Sequence, residues 1–150
     1  MIQVLRRADP SGVDRILRLL PDWFGIEEAI VDYVEKARSL DSYIAVNEDD
    51  GTIGVALITR HFAESAELTL IAIHPRYHSS GVGRALIRFA EQDLREDDCK
   101  YFEVHTVGPS FDHGGYAATR AFYAAVGFSP MHEFENLDWD GPTLIMIKHL

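Results

Sequence analysis

One cysteine in 150 residues, Cys99, excludes an internal disulfide and suits a reducing compartment. No apolar run approaches the roughly 20 residues that cross a bilayer. The opening MIQVLRRADP has no apolar stretch of the kind a secretion signal carries. Repeats, low-complexity tracts and Pro/Gly/Ser-rich linkers are missing as well, so residues 1–150 read as a single domain. Positive charge is scarce: 14 Lys and Arg face 24 Asp and Glu, a formal net charge of −10. Phosphate backbones are bound through Lys and Arg, so this balance argues against a nucleic-acid partner. The absences together predict a cytoplasmic domain with neither a membrane nor a nucleic acid as partner. What is present is ordinary globular material, 47% hydrophobic and 25% charged, long enough to bury a core.

Periodicity gives the element order. Residues 2–8 read as a short strand, followed by a helix that Asp9 caps and Pro21 ends near Leu20. Residues 26–40 place apolar side chains at 26, 30, 33, 34 and 37, a helical spacing. Residues 42–62 read as a hairpin turning at Asp49-Asp50-Gly51, and 66–75 as a strand stopped by Pro75. A helix follows with Leu86, Phe89, Ala90 and Leu94 on one stripe. Residues 100–107 read as a strand, 116–127 as a helix closed by Gly127, and two strands finish the chain. The order β-α-α-β-β-β-α-β-α-β-β is a mixed α/β layer fold rather than an alternating doubly wound one.

Between the strand stopped at Pro75 and the helix that starts near Gly81 or Val82 lies RYHSSG. Glycine in a helix costs about 1 kcal/mol against alanine, so Gly81 and Gly83 at its mouth need a reason. A helix start offers unpaired N–H groups and a partial positive charge, and glycines let a phosphate approach that backbone. Ser79 and Ser80 add hydroxyls; Arg76, His78, Arg84 and Arg88 add charge. The loop is not a P-loop, since no Lys-Ser/Thr pair follows the glycines. Nor is it a dinucleotide fingerprint, because Leu86 stands where the third glycine belongs. A plain glycine-opened helix with incidental arginines is the competing explanation.

HSSGVG after a strand and before an amphipathic helix resembles the acetyl-CoA pyrophosphate loop of the GNAT N-acetyltransferase superfamily. That pattern runs Gln or Arg, two variable residues, Gly, one variable residue, then Gly or Ala. Gly81 and Gly83 match the small positions, and His78 stands in place of Gln or Arg. TRAFYAAVGF resembles the family's FYxxxGF element through Phe122, Tyr123, Gly127 and Phe128. The element order matches the GNAT fold along essentially the whole chain, and residues 107–134 resemble bacterial members.

The resemblance implies acetyl-CoA as cosubstrate, an amine acceptor and direct transfer in a ternary complex. Its pyrophosphate would rest on His78, Ser79, Ser80, Gly81, Val82, Gly83 and Arg84, and its pantetheine arm would bond backbone groups at Ala72 and Ile73. Tyr123 is then the candidate general acid: a phenol of pKa about 10 can protonate a thiolate whose thiol lies near about 8.5. Tyr116 shares its helical stripe at a separation of seven residues, while Phe122 and Val126 mark another that faces the core. Glu67 is the candidate base, with Glu64, Glu103 and His105 as rivals. Trp23, Phe24 and Trp139 lie in segments where the family binds its acceptor, His105 and Tyr116 are further candidate acceptor contacts, and Asp112 and His113 sit in a Gly-containing loop beside them. Family members are often dimers, so a homodimer is one expected assembly. The histidines show no HxH or HxxxH pair, so a metal set of His105, Asp112 and His113 is disfavoured and no metal is expected. Cys99 reads as packing. The rival function is an acyl-CoA-binding regulatory module without catalysis.

Overall fold

The computed structural model describes residues 1–111 and 114–150. Its elements follow the expected order: β1 (Gln3–Arg6), α1 (Pro10–Arg18), α2 (Glu27–Lys36), β2 (Asp41–Asn47), β3 (Gly51–Phe62), β4 (Ser65–Ile73), α3 (Val82–Glu96), β5 (Tyr101–Val107), α4 (Tyr116–Ala125), β6 (Ser129–Glu135) and β7 (Pro142–His149). A 3-10 turn, Pro75–Tyr77, precedes α3. The strands hydrogen-bond in the order β1-β2-β3-β4-β5-β7-β6, with β4 and β5 parallel. The first two helices end earlier than periodicity implies. After α1, the Leu19 and Leu20 N–H groups bond carbonyls three residues back, at Ile16 and Leu17, a tightening that stops an α-helix.

The chain forms two compact units, Met1–Thr59 with Thr69–Asp93, and Arg60–Leu68 with Leu94–Leu150. In the first, Val13, Ile16, Leu17 and Leu20 from the α1 segment and Ile30 of α2 pack with Ile44, Val55, Leu57, Leu70 and Ala72. Each large aliphatic side chain buried this way contributes about 1.5–3 kcal/mol. Asp9 fixes where α1 begins: one carboxylate oxygen accepts the Gly12 N–H at 3.1 Å and the other the Thr52 hydroxyl at 2.6 Å.

Thr59 of β3 and Thr69 of β4 touch at 2.5 Å through their hydroxyls, and β4 alternates buried and half-buried residues along its length.

In the second unit β5 pairs with β4 from Ser65↔Tyr101 to Leu68↔Val104 and with β7 along its length. Ala66, Leu68, Phe102 and Val104 are buried, and Phe102 stacks on Phe128 at 5.4 Å. Glu67, Glu103 and His105 turn to the opposite face, as alternation requires.

Asp9 makes the first unit sensitive to acid. Burial opposes its charge, but hydrogen bonds from Thr52, Gly12 and Ser11 outweigh that and hold its carboxyl below the ordinary value. A depressed folded pKa stabilises above the unfolded value, about 3.9, and is lost as pH falls through the folded one. Asp9→Ala is expected to cost about 1–2 kcal/mol in urea unfolding at pH 7, with the gap to wild type narrowing below pH 4. A gap independent of pH would assign the loss to packing instead.

Candidate functional site

The loop after β4 lies wholly in the first unit. His74 donates its N–H to the Ile53 carbonyl at 2.8 Å, and its Nδ1 accepts the Arg76 N–H at 3.1 Å. The Ser80 hydroxyl donates to the Tyr77 carbonyl. Ser79 and Gly81 take left-handed backbone, φ 62° and 88°. Gly81 then opens α3, its carbonyl accepting the Ala85 N–H at 3.0 Å. A Cβ added to Gly81 would meet nothing within 4 Å, so torsion rather than crowding demands glycine here. The N–H groups of Val82, Gly83 and Arg84 belong to the first helical turn, which has no carbonyl one turn back to bond them. No acidic residue sits in that turn. The result is an electropositive, backbone-lined helix mouth.

Two of the expected charges are engaged elsewhere. Arg76 is 3.3 Å from Asp50, whose carboxyl is held low chiefly by the Tyr77 hydroxyl, against a smaller opposing effect of burial. His78 Nε2 lies 2.8 Å from the Ile73 carbonyl, so its imidazole donates to the last residue of β4 and braces the loop. That contact occupies one lone pair of the Ile73 carbonyl. Ala72 is buried, Arg84 half-buried and Arg88 exposed.

The second unit gathers five titratable side chains. Glu67 and Glu103 stand directly opposite in the parallel register. His61 Nε2 lies 2.7 Å from Glu67 and 3.6 Å from Glu103. His105 Nε2 lies 3.7 Å from Glu103, and its Nδ1 2.8 Å from Asp138. Burial disfavours the imidazolium of His105, but the Asp138 hydrogen bond and the charges of Glu67, Asp138 and Glu103 prevail and raise its pKa. Alongside, His61, Phe62, Ser65, Ala66, Tyr101, Glu103 and Ile147 line a recess of about 280 Å3. Glu64 sits apart from the cluster in the β3–β4 turn, where its carbonyl receives the Lys100 and Tyr101 N–H groups. His61 and Asp138 are the members that the sequence reading missed. The signal for His61 was the short turn between Phe62 and Ser65, which sets it beside Glu67.

Tyr123 corrects the expected face of α4. It is the buried residue of the helix, 7% exposed, with its ring edge-on to Phe128 at 5.9 Å; Phe122 and Val126 are only half-buried. The aromatic pair Phe102 and Phe128 sets which face of α4 turns inward, and neither residue belongs to the helix. Tyr116 is half-buried, 6.5 Å from the Phe111 ring.

The expected acceptor residues divide between the units. Trp23, in the first, is 42% exposed, whereas Phe24 beside it packs edge-on against Tyr33. Trp139, in the second, donates its indole N–H to the Pro142 carbonyl at 3.0 Å and lies 5.2 Å from the Phe111 ring. Asp112 and His113 lie outside the described residues, and with them the set they would form with His105. Cys99 is buried as packing.

The sequence profile of the GNAT acetyltransferase domain matches residues 39–130. The chain belongs to the GNAT acetyltransferase family. GNAT structures share its fold over nearly its whole length. A GNAT-family protein from Desulfovibrio desulfuricans is 24% identical with a TM-score of 0.86, covering 99% of both chains. The ribosomal-protein-S18-alanine N-acetyltransferase of Escherichia coli is 16% identical at TM-score 0.74, over 99% of this chain and 94% of that one. A GNAT acetyltransferase from Elizabethkingia anophelis with acetyl-CoA bound is also 16% identical at 0.74, over 99% and 98%. No curated protein matches in sequence. The matched GNAT segment contains the loop, Glu67, Glu103, His105 and Tyr123; His78 is this chain's residue where the family pattern has Gln or Arg.

His105 is expected to titrate above the ordinary histidine value of about 6.5 in a histidine NMR titration, and Asp138→Asn to bring it down. Because its folded pKa is raised, its contribution to stability is full below the unfolded value and fades as pH rises through the folded one. No change in Asp138→Asn would mean that the hydrogen bond is not what raises it.

Proposed function

We propose that this protein is an acetyl-CoA-dependent N-acetyltransferase that acetylates a primary amine by direct transfer within a ternary complex. The observation that carries the reading is the α3 mouth: left-handed Gly81, an open space beside it, and a first helical turn that contains no acidic residue. That arrangement suits a pyrophosphate. The reading assigns the cofactor's phosphates to Ser79, Gly81, Val82, Gly83 and Arg84, while Ser80, expected among them, gives both its hydroxyl and its N–H to the Tyr77 carbonyl. It gives His78 the structural task of holding the loop to β4.

Glu67 and Tyr123 are assigned the proton transfers. The amine nitrogen attacks the thioester carbonyl and passes its proton to the Glu67 carboxylate, forming the C–N bond. Collapse of the tetrahedral adduct breaks the C–S bond, and the Tyr123 phenol protonates the departing thiolate. The products are the acetamide and free CoA. A backbone N–H of β4 would face the developing oxyanion. The acidic chain, with Glu67, Glu103 and Asp138 around His61 and His105, favours a cationic acceptor over an anionic one.

Thermal unfolding with and without acetyl-CoA tests the loop. A ligand at 100 times its Kd adds about 2.7 kcal/mol, a shift of several degrees. The shift is expected in wild type and absent in Gly81→Glu, whose carboxylate would enter the phosphates' space. A folded Gly81→Glu that keeps the full shift would take the cofactor off the loop.

Tyr123→Phe keeps the ring against Phe128 and removes only the hydroxyl. With an amine turned over by wild type, it is expected to lower kcat by about a hundredfold while leaving the acetyl-CoA shift intact. Unchanged kcat would remove Tyr123 as the acid. Cofactor binding without turnover of any amine would favour the binding-module alternative.

A further inference from the structure

Among the described residues, one set of three side chains brings donor atoms of metal-ligating type together: His61, Glu67 and Glu103, all within 4.8 Å of one another. They come from three adjacent strands and share one face. Two features separate them from a chance acidic patch. Glu67 and Glu103 are directly opposite across β4 and β5, which brings two carboxylates to one point on the sheet. His61 Nε2 is placed against both carboxylates, at 2.7 and 3.6 Å, and supplies a nitrogen donor that an all-oxygen site for magnesium or calcium would not use.

We propose that His61, Glu67 and Glu103 form a site for a divalent transition-metal ion of the zinc class. Such ions bond imidazole nitrogen at about 2.0–2.1 Å and carboxylate oxygen at about 2.0–2.2 Å, so tetrahedral neighbours lie about 3.4 Å apart. The separations from His61, 2.7 and 3.6 Å, straddle that value, and all three donor atoms lie within 4.8 Å of one another. Three protein ligands would leave the fourth position to water, and two of the three, His61 and Glu103, line the adjoining recess. The chain's net charge of −10 raises the local concentration of cations. The consequence for catalysis rests on the proposed function: an ion held by Glu67 occupies the carboxylate assigned as base, so the metal inhibits acetyl transfer and a chelator relieves it.

The test needs neither acetyl-CoA nor an amine, so its failure and failure of the transferase reading are distinguishable. The full chain is titrated with Co2+, followed by its visible ligand-field absorption, and the bound ion is then displaced by Zn2+. Saturation at one ion per chain is expected. His61→Ala and Glu103→Gln are each expected to weaken binding about tenfold or more, while His149→Ala leaves it unchanged. Thermal unfolding confirms that each variant is folded, and Glu103→Gln, which keeps its side chain's shape, carries the test if His61→Ala is not. No saturable binding, or equal affinity in a folded Glu103→Gln, overturns the site.

Discussion

Glu67 and Glu103 stand side by side because β4 and β5 run parallel and in register from Ser65↔Tyr101 to Leu68↔Val104. Those few paired residues decide most of what the second unit presents. Once Phe102 is committed to the core with Phe128, alternation sends Glu103 and His105 to the other face. The register then brings Glu67 next to Glu103. The turn after Phe62 returns the chain so that His61 meets both. A slip of one residue would exchange the buried and polar sets wholesale, so the acid–imidazole cluster is a by-product of burying Phe102, Val104, Ala66 and Leu68.

The first unit meets a different constraint. Its loop must turn from a strand into a helix within a few residues, and it does so through left-handed backbone at Ser79 and Gly81. The hydroxyl of Ser80 and the imidazole of His78 are spent inside the loop, on the Tyr77 and Ile73 carbonyls. Internal bonding of this kind keeps the first-turn N–H groups in place before any ligand arrives, and preorganisation lowers the ordering cost of binding. Arg76 ties the same loop to Asp50 at 3.3 Å.

Legibility differed between the two halves. The loop was readable because its chemistry is local: Gly81, Gly83 and the serines are consecutive, and the torsions they permit are properties of the residues themselves. Element order was readable for the same reason, through periodicity, the Asp9 cap and the break at Pro75. Element ends were less so, because the Leu19 and Leu20 N–H groups chose carbonyls three residues back. The inward face of α4 was misread since Tyr123, Phe122 and Val126 are all hydrophobic enough to be buried, and the choice fell to aromatic partners outside the helix.

The sequence by itself determined the strand and helix order, the glycine-opened helix mouth and the acidic balance, each a consequence of short-range chemistry and composition. Only the tertiary structure decided that His78 braces β4 and that His61, Glu67, Glu103, His105 and Asp138 converge. Those depend on register and on which face a strand buries. Register is a property of pairs of strands, and one strand's sequence does not carry it.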